Sequence, residues 1–569
     1  MTKKLVCLLL AAMMIATLAA CGGAAPAQES SRAVAEELPT ASADDGKKLP
    51  VLSPDDPTTF TVFVPTAKPA PSSDNKIAKR LKDELGVTLE LDIISSNYDE
   101  KIGVMIAAGE YPDIIGNSSQ HARFIEAGAL IPFNDYLTPG LAGNILTHVE
   151  PFLNRLSYPA DGKIYVLPNY NRYYGEISAG THWGPAFWIQ KAVVEEFGYP
   201  EINDLETYFG LIEQYKAKYP TIDGQPTIGF EICAAPGKEF CLTNAPQHLI
   251  GHPNDGGVVV DVETKVADIF ADKEYAKTYY KTLNEMNKKG LVDPETFTQN
   301  YDQYLAKLAS GRVLGMFDQR WNFGNAYDAL TAEGRYERQW IPVMPVYDGY
   351  EPYYRDRDVM NINQGYGVSV NCKEPDKAVA FLNTILEEDW QILFSWGVEG
   401  EDYLVNDAGR YYRTPEMRTT QDDPVWKTKN KYEAFWDMMP KKQGQFSNGN
   451  NYDVDGQPEE FFDTLKDYDK KILQGYGKQT WVQFLNQPPE NPPYYPAWNI
   501  PLVDGSDAQM ANTQLNDLAL QYLPKAILSS PSEFDAIWSE YTAKIQETNY
   551  KAYLEVINKE IAWRMENWG

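Results

Sequence analysis

Cysteine and histidine are scarce in this chain, five of each in 569 residues. Basic residues are also in deficit: 51 Lys and Arg stand against 80 Asp and Glu, a formal net charge of −29. Nucleic-acid binding is disfavoured by that balance, because phosphate contacts need a basic face. Beyond the N-terminal segment no apolar run is long enough to cross a bilayer. There is no Gly-x-Ser-x-Gly elbow, no Gly-x-x-x-x-Gly-Lys phosphate loop and no His-Glu-x-x-His, so the commonest hydrolytic and nucleotide-binding signatures are missing.

What is present begins at the N-terminus. Lys3 and Lys4 form a basic start, and Leu5 to Leu18 is apolar apart from Thr17. That run is short for a membrane span, and small residues follow it, which is the grammar of a secretory signal over residues 1–20. Leu18-Ala19-Ala20-Cys21 also resembles a bacterial lipobox. The resemblance implies that Cys21 becomes the lipidated first residue, placing the protein on the extracytoplasmic face of the cell membrane. Two or three acyl chains hold a protein there where one does not, each buried CH₂ contributing roughly 0.8 kcal/mol. The alternative is an ordinary cleaved signal with an incidental Cys. Gly22 to Pro50 is rich in Ala, Gly, Ser, Pro and Glu. It cannot bury enough surface to fold, and residues 21–57 read as lipid anchor and linker.

Aromatic residues reach 13%, with 37 Tyr and 13 Trp. Most pack a large core, but flat rings with polar tips also suit a sugar-binding cleft. The length exceeds one ordinary core and predicts two or more lobes.

Residues 59–64 alternate as a strand, Asp74 stands as a helix cap, and Ile77, Leu81 and Leu85 share a helical face that Gly86 ends. Val87, Leu89, Leu91 and Ile93 alternate with polar residues as a second strand. A helix over 99–108 and a short strand at 111–116 complete a strand–helix–strand–helix–strand unit. That order predicts a doubly wound α/β lobe with a mainly parallel sheet, whose ligands sit beyond the carboxyl ends of the strands. Those ends are Val64 to Lys68 and Gly116 to Gln120. Lys68, Asn117, Ser118 and Ser119 are therefore candidate ligand contacts, with helix capping as the alternative for the last three.

The unit resembles the first lobe of extracellular solute-binding proteins of carbohydrate ABC importers. The resemblance is carried by Gly86-Val87-Thr88-Leu89-Glu90 and Gly109-Glu110-Tyr111-Pro112-Asp113-Ile114-Ile115. It continues in Ala127–Phe133, Asp161–Pro168, Ala186–Lys191, Ala309–Asp318, Tyr366–Val370 and Trp396–Tyr403, over most of residues 58–415. It implies a two-lobed α/β, periplasmic-binding-protein type II fold with a cleft between doubly wound lobes and added C-terminal helices. The expected parts are a first lobe at 58–172, a second at 173–345, a return to the first at 346–405, and a segment 406–569 completing the second lobe and hinge. The function implied is that of a monomeric, non-enzymatic component of an ABC importer, needing no cofactor. It would capture an oligosaccharide by closure and dock on permease subunits in the membrane. In maltose-binding relatives an aromatic at the position of Trp321 stacks on sugar. The preceding strand, 312–317, ends just before Asp318 and Trp321, so both are expected in the cleft, with Asp318 as a hydroxyl acceptor. Trp183 is a further candidate, and Trp188 is expected in the core.

Metal readings are weak. Cys233 and Cys241 are equally compatible with a local disulfide and with free thiols, and adding His248 and His252 gives only a poor zinc pattern. Alginate-binding relatives carry a calcium loop in the second lobe, but the comparable residues 219–226 lack its oxygen ladder. Asn451, Asp453, Asp455 and Gly456 match four positions of such a loop, but Phe462 stands where a bidentate Glu is required, so a solvated turn is expected. A surface glycoside hydrolase is the leading enzymatic alternative, with Glu399, Glu401 and Asp402 as the obvious acidic cluster; backbone capping is the role expected of them. A peptide-binding importer component is the other alternative.

Overall fold

The computed structural model describes residues 48–568 apart from 96–97, 119–120, 171, 176–178, 358, 361, 363, 489 and 504. The expected signal, the expected anchor Cys21 and nearly all of the expected linker lie outside the described residues.

The chain begins as the alternation predicts. Strand β1 (Thr58–Pro65) exposes Thr59 and Thr61 and buries Phe60, Val62 and Val64. Helix α1 (Lys76–Leu85) buries Ile77 and Leu81 against it. The cap is Asn75 rather than Asp74: its Oδ1 accepts from the backbone N–H of Ile77 and Ala78, both at 3.0 Å. Asn75 wins because its amide also donates to the Thr428 and Lys431 carbonyls at 2.8 Å, a role a carboxylate cannot fill. Gly86 ends the helix at φ +70°, where an added Cβ would lie 2.2 Å from the Ser53 carbonyl oxygen. Strand β2 (Val87–Ile94), helix α2 (Tyr98–Ala108), strand β3 (Ile114–Ser118) and strand β4 (Leu167–Pro168) follow.

The chain then leaves for a second sheet, made of β5 (Pro185–Gln190), β6 (Ile228–Glu231), β7 (Val313–Gln319) and β8 (Trp340–Val343), and returns as β9 (Gln364–Val368). The first sheet has the order β2-β1-β3-β9-β4. Its first three strands are parallel, and β9 runs antiparallel to β3 and β4. The second has the order β8-β5-β7-β6, parallel only between β7 and β6. Two sheets joined by crossing segments, each wrapped in helices, give two α/β lobes.

The other helices include α3 (Phe240–Thr243), α4 (Tyr301–Ala309), α5 (Glu433–Met438), α6 (Asp507–Leu528), α7 (Phe534–Glu547) and α8 (Tyr550–Asn567). The segment expected to complete the second lobe is in fact divided. Tyr432, Phe435, Met438 and Met439 join the apolar core of the first sheet. Leu523, Phe534, Trp538, Tyr541 and Ile561 join that of the second. Apolar burial decides the division, since α5 has its greasy face on Tyr366 and Phe381. Among the described residues no helix is long and apolar enough to cross a membrane.

Candidate functional site

Where the two lobes face each other a cleft of about 1520 Å³ opens, lined from both sheets and from the C-terminal helices. Trp321 follows β7 into it and stands 50% exposed, with its indole N–H donating to Gln319 Oε1 at 2.7 Å. Phe240 of α3 lies 5.5 Å from it, ring centroid to centroid, and the Lys238 ammonium 5.0 Å above it. The Trp321 backbone N–H reaches the Trp183 carbonyl at 3.4 Å, so the loop bearing Trp183 runs alongside. Trp183 is 56% exposed and also lines the cleft, with the Arg320 guanidinium 5.4 Å from its ring. Two half-exposed indoles thus line the same concavity. Trp188 is buried, as expected.

Asp318 does not reach the cleft. It is fully buried and accepts from the Tyr304 hydroxyl at 2.5 Å, Cys241 Sγ at 3.1 Å, Asn322 Nδ2 at 3.1 Å and the Gln319 backbone at 2.6 Å. Burial pushes its carboxyl up to about 6, with those hydrogen bonds opposing the shift. The strand runs on to Gln319, further than the sequence pattern suggests, and both its faces are buried. Asp318 is therefore a strut beneath the turn that presents Trp321.

Asn117 is also sequestered. It is 1% exposed, and its amide donates to its own strand's Ile115 carbonyl at 3.0 Å, so β3 turns it away from the cleft lining. The Ser118 side chain and Ser119 lie outside the described residues. Lys68 is exposed beyond β1 but does not line the cleft; its charge acts on Lys441.

The first-lobe wall comes from residues the sequence reading did not select. Lys441 and Lys431 line it, and burial pulls each ammonium down to about 8. Lys441 sits 5.2 Å from the Trp436 ring, and Lys431 donates to the Ser395 carbonyl at 2.8 Å. Asp437 accepts from Thr66 Oγ1 at 2.5 Å and Asp453 from Gln443 Nε2 at 3.1 Å. Burial raises the Asp453 carboxyl. The acidic turn at 451–456 was visible in sequence, but its place in the cleft was not. Asn451 Oδ1 caps Asp453 N–H at 3.0 Å, and Val454–Gly456 form one short helical turn. Asp453 and Asp455 face the cleft from it. In all, the lining carries six basic and seven acidic side chains, so this acidic protein has a nearly charge-balanced cleft.

The remaining motifs have local roles. Asp402 Oδ2 accepts from Val398 N–H and from Lys76 Nζ, both at 2.8 Å, the capping role expected of Asp402, while Glu401 only pairs with Lys76 at 3.2 Å. Cys233, Cys241 and Cys372 are buried free thiols. His248 packs between the Phe317 and Tyr354 rings, 5.5 and 5.1 Å away. Among the described residues no group of three His, Cys, Asp or Glu side chains could hold a metal ion.

The family model of bacterial extracellular solute-binding proteins matches residues 76–396, more than half of the chain. The fructooligosaccharide ABC transporter substrate-binding protein FusA of Streptococcus pneumoniae is 26% identical over 278 residues, 47% of this chain and 51% of FusA. The match thus spans about half the length of that curated relative. Among solved structures, FusA in complex with kestose superposes with a TM-score of 0.60 at 17% identity, covering 90% of this chain and 100% of FusA. An HMO-binding, ABC-transporter-associated solute-binding protein of Bifidobacterium longum infantis gives 0.62 at 16% identity, covering 90% and 99%. The alginate-binding protein AlgQ2 gives 0.55 at 14% identity, covering 91% and 100%. At such identities the shared property is the two-lobed α/β fold expected from the sequence. Fold, cleft and family match agree: the chain belongs to the bacterial extracellular solute-binding proteins.

Proposed function

We propose that this protein is the membrane-tethered receptor of an ABC importer, capturing a neutral oligosaccharide by lobe closure. The observation that carries the reading is the pair of half-exposed indoles, Trp183 and Trp321, in a deep and nearly charge-balanced cleft. Indole faces cover the apolar faces of sugar rings, while carboxylates, ammonium groups and amides bond the hydroxyls. Balanced charge favours an uncharged ligand, since a polyanion would meet as many carboxylates as cations. Fructo-oligosaccharides are the first ligands to test, given what FusA binds. Ligand that touches both lobes binds the closed form more tightly and shifts the population toward it. Cys21 supplies the lipid anchor on the extracytoplasmic face, and the closed monomer docks on the permease. No catalytic step is assigned to the cleft.

A thermal-shift screen against kestose, nystose, maltodextrins, a uronate oligomer and short peptides tests this. Ligand bound only by the folded state raises the melting temperature by mass action. Stabilisation by a neutral oligosaccharide is expected. Stabilisation by peptides alone, or consumption of the sugar during incubation, overturns the reading.

A further inference from the structure

We infer that the C-terminal helices build a second sugar subsite around Trp498, apart from the Trp321 platform; the inference rests on the oligosaccharide reading above. The family match ends at residue 396, so this wall belongs to the chain beyond the match. Trp498 lines the cleft and is 52% exposed. Asn499, which follows Trp498 in the chain, and Asn512 and Asn516 also line the cleft. The last two lie four residues apart on α6 and so share a face. An indole face beside amides that both donate and accept is the chemistry a sugar ring and its hydroxyls require.

The segment carrying Trp498 is held from behind. Asp255 accepts from the Ala497 N–H at 3.1 Å and the Tyr494 hydroxyl at 3.4 Å. Arg564 of α8 donates to the Tyr494 carbonyl at 3.2 Å, the Pro496 carbonyl at 2.9 Å and Asn499 Oδ1 at 2.7 Å. Arg155, from the first lobe, donates to the Tyr495 carbonyl at 3.0 Å and the Pro493 carbonyl at 2.8 Å. The Trp568 ring lies 4.6 Å from the Arg155 guanidinium and 4.2 Å from that of Arg564. Gly256, at φ +80°, lets the backbone pass close: a Cβ there would lie 2.8 Å from Trp498 Cβ. A segment tied by two buried guanidinium groups is a preorganised wall, which is what a binding platform needs.

Trp498 and Trp321 are linked through intermediates rather than by contact. Trp321 packs on Phe240, whose carbonyl accepts from the Asn244 N–H at 3.0 Å. Asn244 Nδ2 donates to Asn254 Oδ1 at 3.1 Å, which also accepts from the Gly256 N–H at 3.0 Å. Gly256 then backs Trp498. Two aromatic platforms on one cleft, held by this buried hydrogen-bonded chain, suit a chain of sugars with one ring on each platform. A short ligand engages only the Trp321 platform, and a longer one engages both.

The test is calorimetric titration of the protein and of Trp498→Ala, Trp498→Phe and Trp321→Ala with two ladders, sucrose–kestose–nystose and maltose to maltohexaose. In the ladder that binds, Trp498→Ala should leave the shortest bound member unchanged and cost the longest about tenfold, the scale of one lost stacking contact. Trp498→Phe should keep most of that affinity. Affinity unchanged by Trp498→Ala at every length, or reduced equally at every length, overturns the subsite. Loss of binding in Trp321→Ala with no effect of Trp498→Ala removes this subsite while the oligosaccharide reading stands. Failure of the unmodified protein to bind either ladder removes both.

Discussion

The two walls of the cleft differ in emphasis, although Glu239 and Asp356 also stand on the second-lobe side and Trp436 and Phe394 on the first. The second-lobe wall offers ring faces, Trp321 and Trp183, on a turn fixed from beneath by the buried Asp318 and its four hydrogen bonds. The first-lobe wall offers charge: Lys441, Lys431, Asp437 and Asp453, standing on the aromatic packing of Trp436 against Phe394. Ring faces hold a sugar without choosing among hydroxyl patterns, whereas directional donors and acceptors choose but bind weakly in water. On the proposed reading, closure brings both walls onto one ligand and gives both affinity and discrimination.

The largest expected break in this comparison is beneath the aromatic wall. Asp318→Ala leaves the Tyr304 hydroxyl, the Cys241 thiol and the Asn322 amide without their acceptor. Unpaired buried groups cost about 1–3 kcal/mol each, so a loss of about 3 kcal/mol in stability is expected by chemical denaturation. Asp318→Asn, which keeps an acceptor, should lose less. Equal stability of Asp318→Ala and the parent would show that the strut holds nothing.

Next comes the platform itself. Trp321→Ala should weaken sugar binding by roughly 1.5–3 kcal/mol, one to two orders of magnitude. Its melting temperature should hardly move, because a half-exposed cleft residue supports little core. A large melting shift with intact affinity would make Trp321 a packing residue and dissolve the contrast between the walls.

A third prediction separates the stability of the second lobe from the chemistry of the cleft. Glu231, at the end of β6, is fully buried, and burial beside Asp293 pushes its carboxyl up to about 8. Its Oε1 accepts from Thr296 Oγ1 at 2.6 Å and Gln299 Nε2 at 2.7 Å. The folded state therefore holds a proton that the unfolded chain releases near its ordinary value of 4.5. This favourable contribution is complete below 4.5 and is eroded as pH rises, until it is gone above about 8. The slope is about 1.4 kcal/mol per pH unit where one full proton separates the states. Urea denaturation between pH 5 and 9 should show that fall, and Glu231→Gln should lessen it, most clearly between pH 6 and 8 where the raised Asp255 and Asp318 no longer contribute, with sugar affinity unchanged. A variant with the parent's pH profile would remove Glu231 as the source.

The smallest effect is expected on the charged wall. Lys441→Met should cost about 1 kcal/mol of binding, the worth of one hydrogen bond, and change which sugar is preferred more than how tightly it binds. Because burial holds Lys441 near 8, the parent's affinity should decline as pH climbs through that value and the ammonium is lost. The variant should show a smaller step, because Lys431 on the same wall is held near 8 as well. Equal pH profiles in calorimetry would remove Lys441 from the ligand.

Legibility followed the same contrast. The first-lobe strands and α1 were readable because alternation and helical spacing act locally, and even there the cap moved from Asp74 to Asn75 through bonds to residues 428 and 431. The position of Trp321 at the cleft was readable because a strand end and a family pattern coincide. Asp318 was misplaced because β7 is buried on both faces, which leaves no alternation to show which way a side chain turns. Lys441, Asp453 and Trp436 carry no local signal. Their place depends on α5 packing against the first sheet and on Gln443–Gly444 pairing with Tyr173–Tyr174, contacts that spacing along the chain does not reveal. The Asn451–Gly456 turn was noticed for its carboxylates, yet a calcium-loop template says nothing about which surface such a turn faces.

The central claim, capture of a neutral oligosaccharide between an aromatic and a charged wall, is tested most directly by calorimetric titration with kestose of the parent, Trp321→Ala and Lys441→Met. The account predicts saturable binding by the parent, a loss of at least about tenfold for Trp321→Ala and a smaller, pH-dependent loss for Lys441→Met. Kestose binding that neither substitution alters would contradict it.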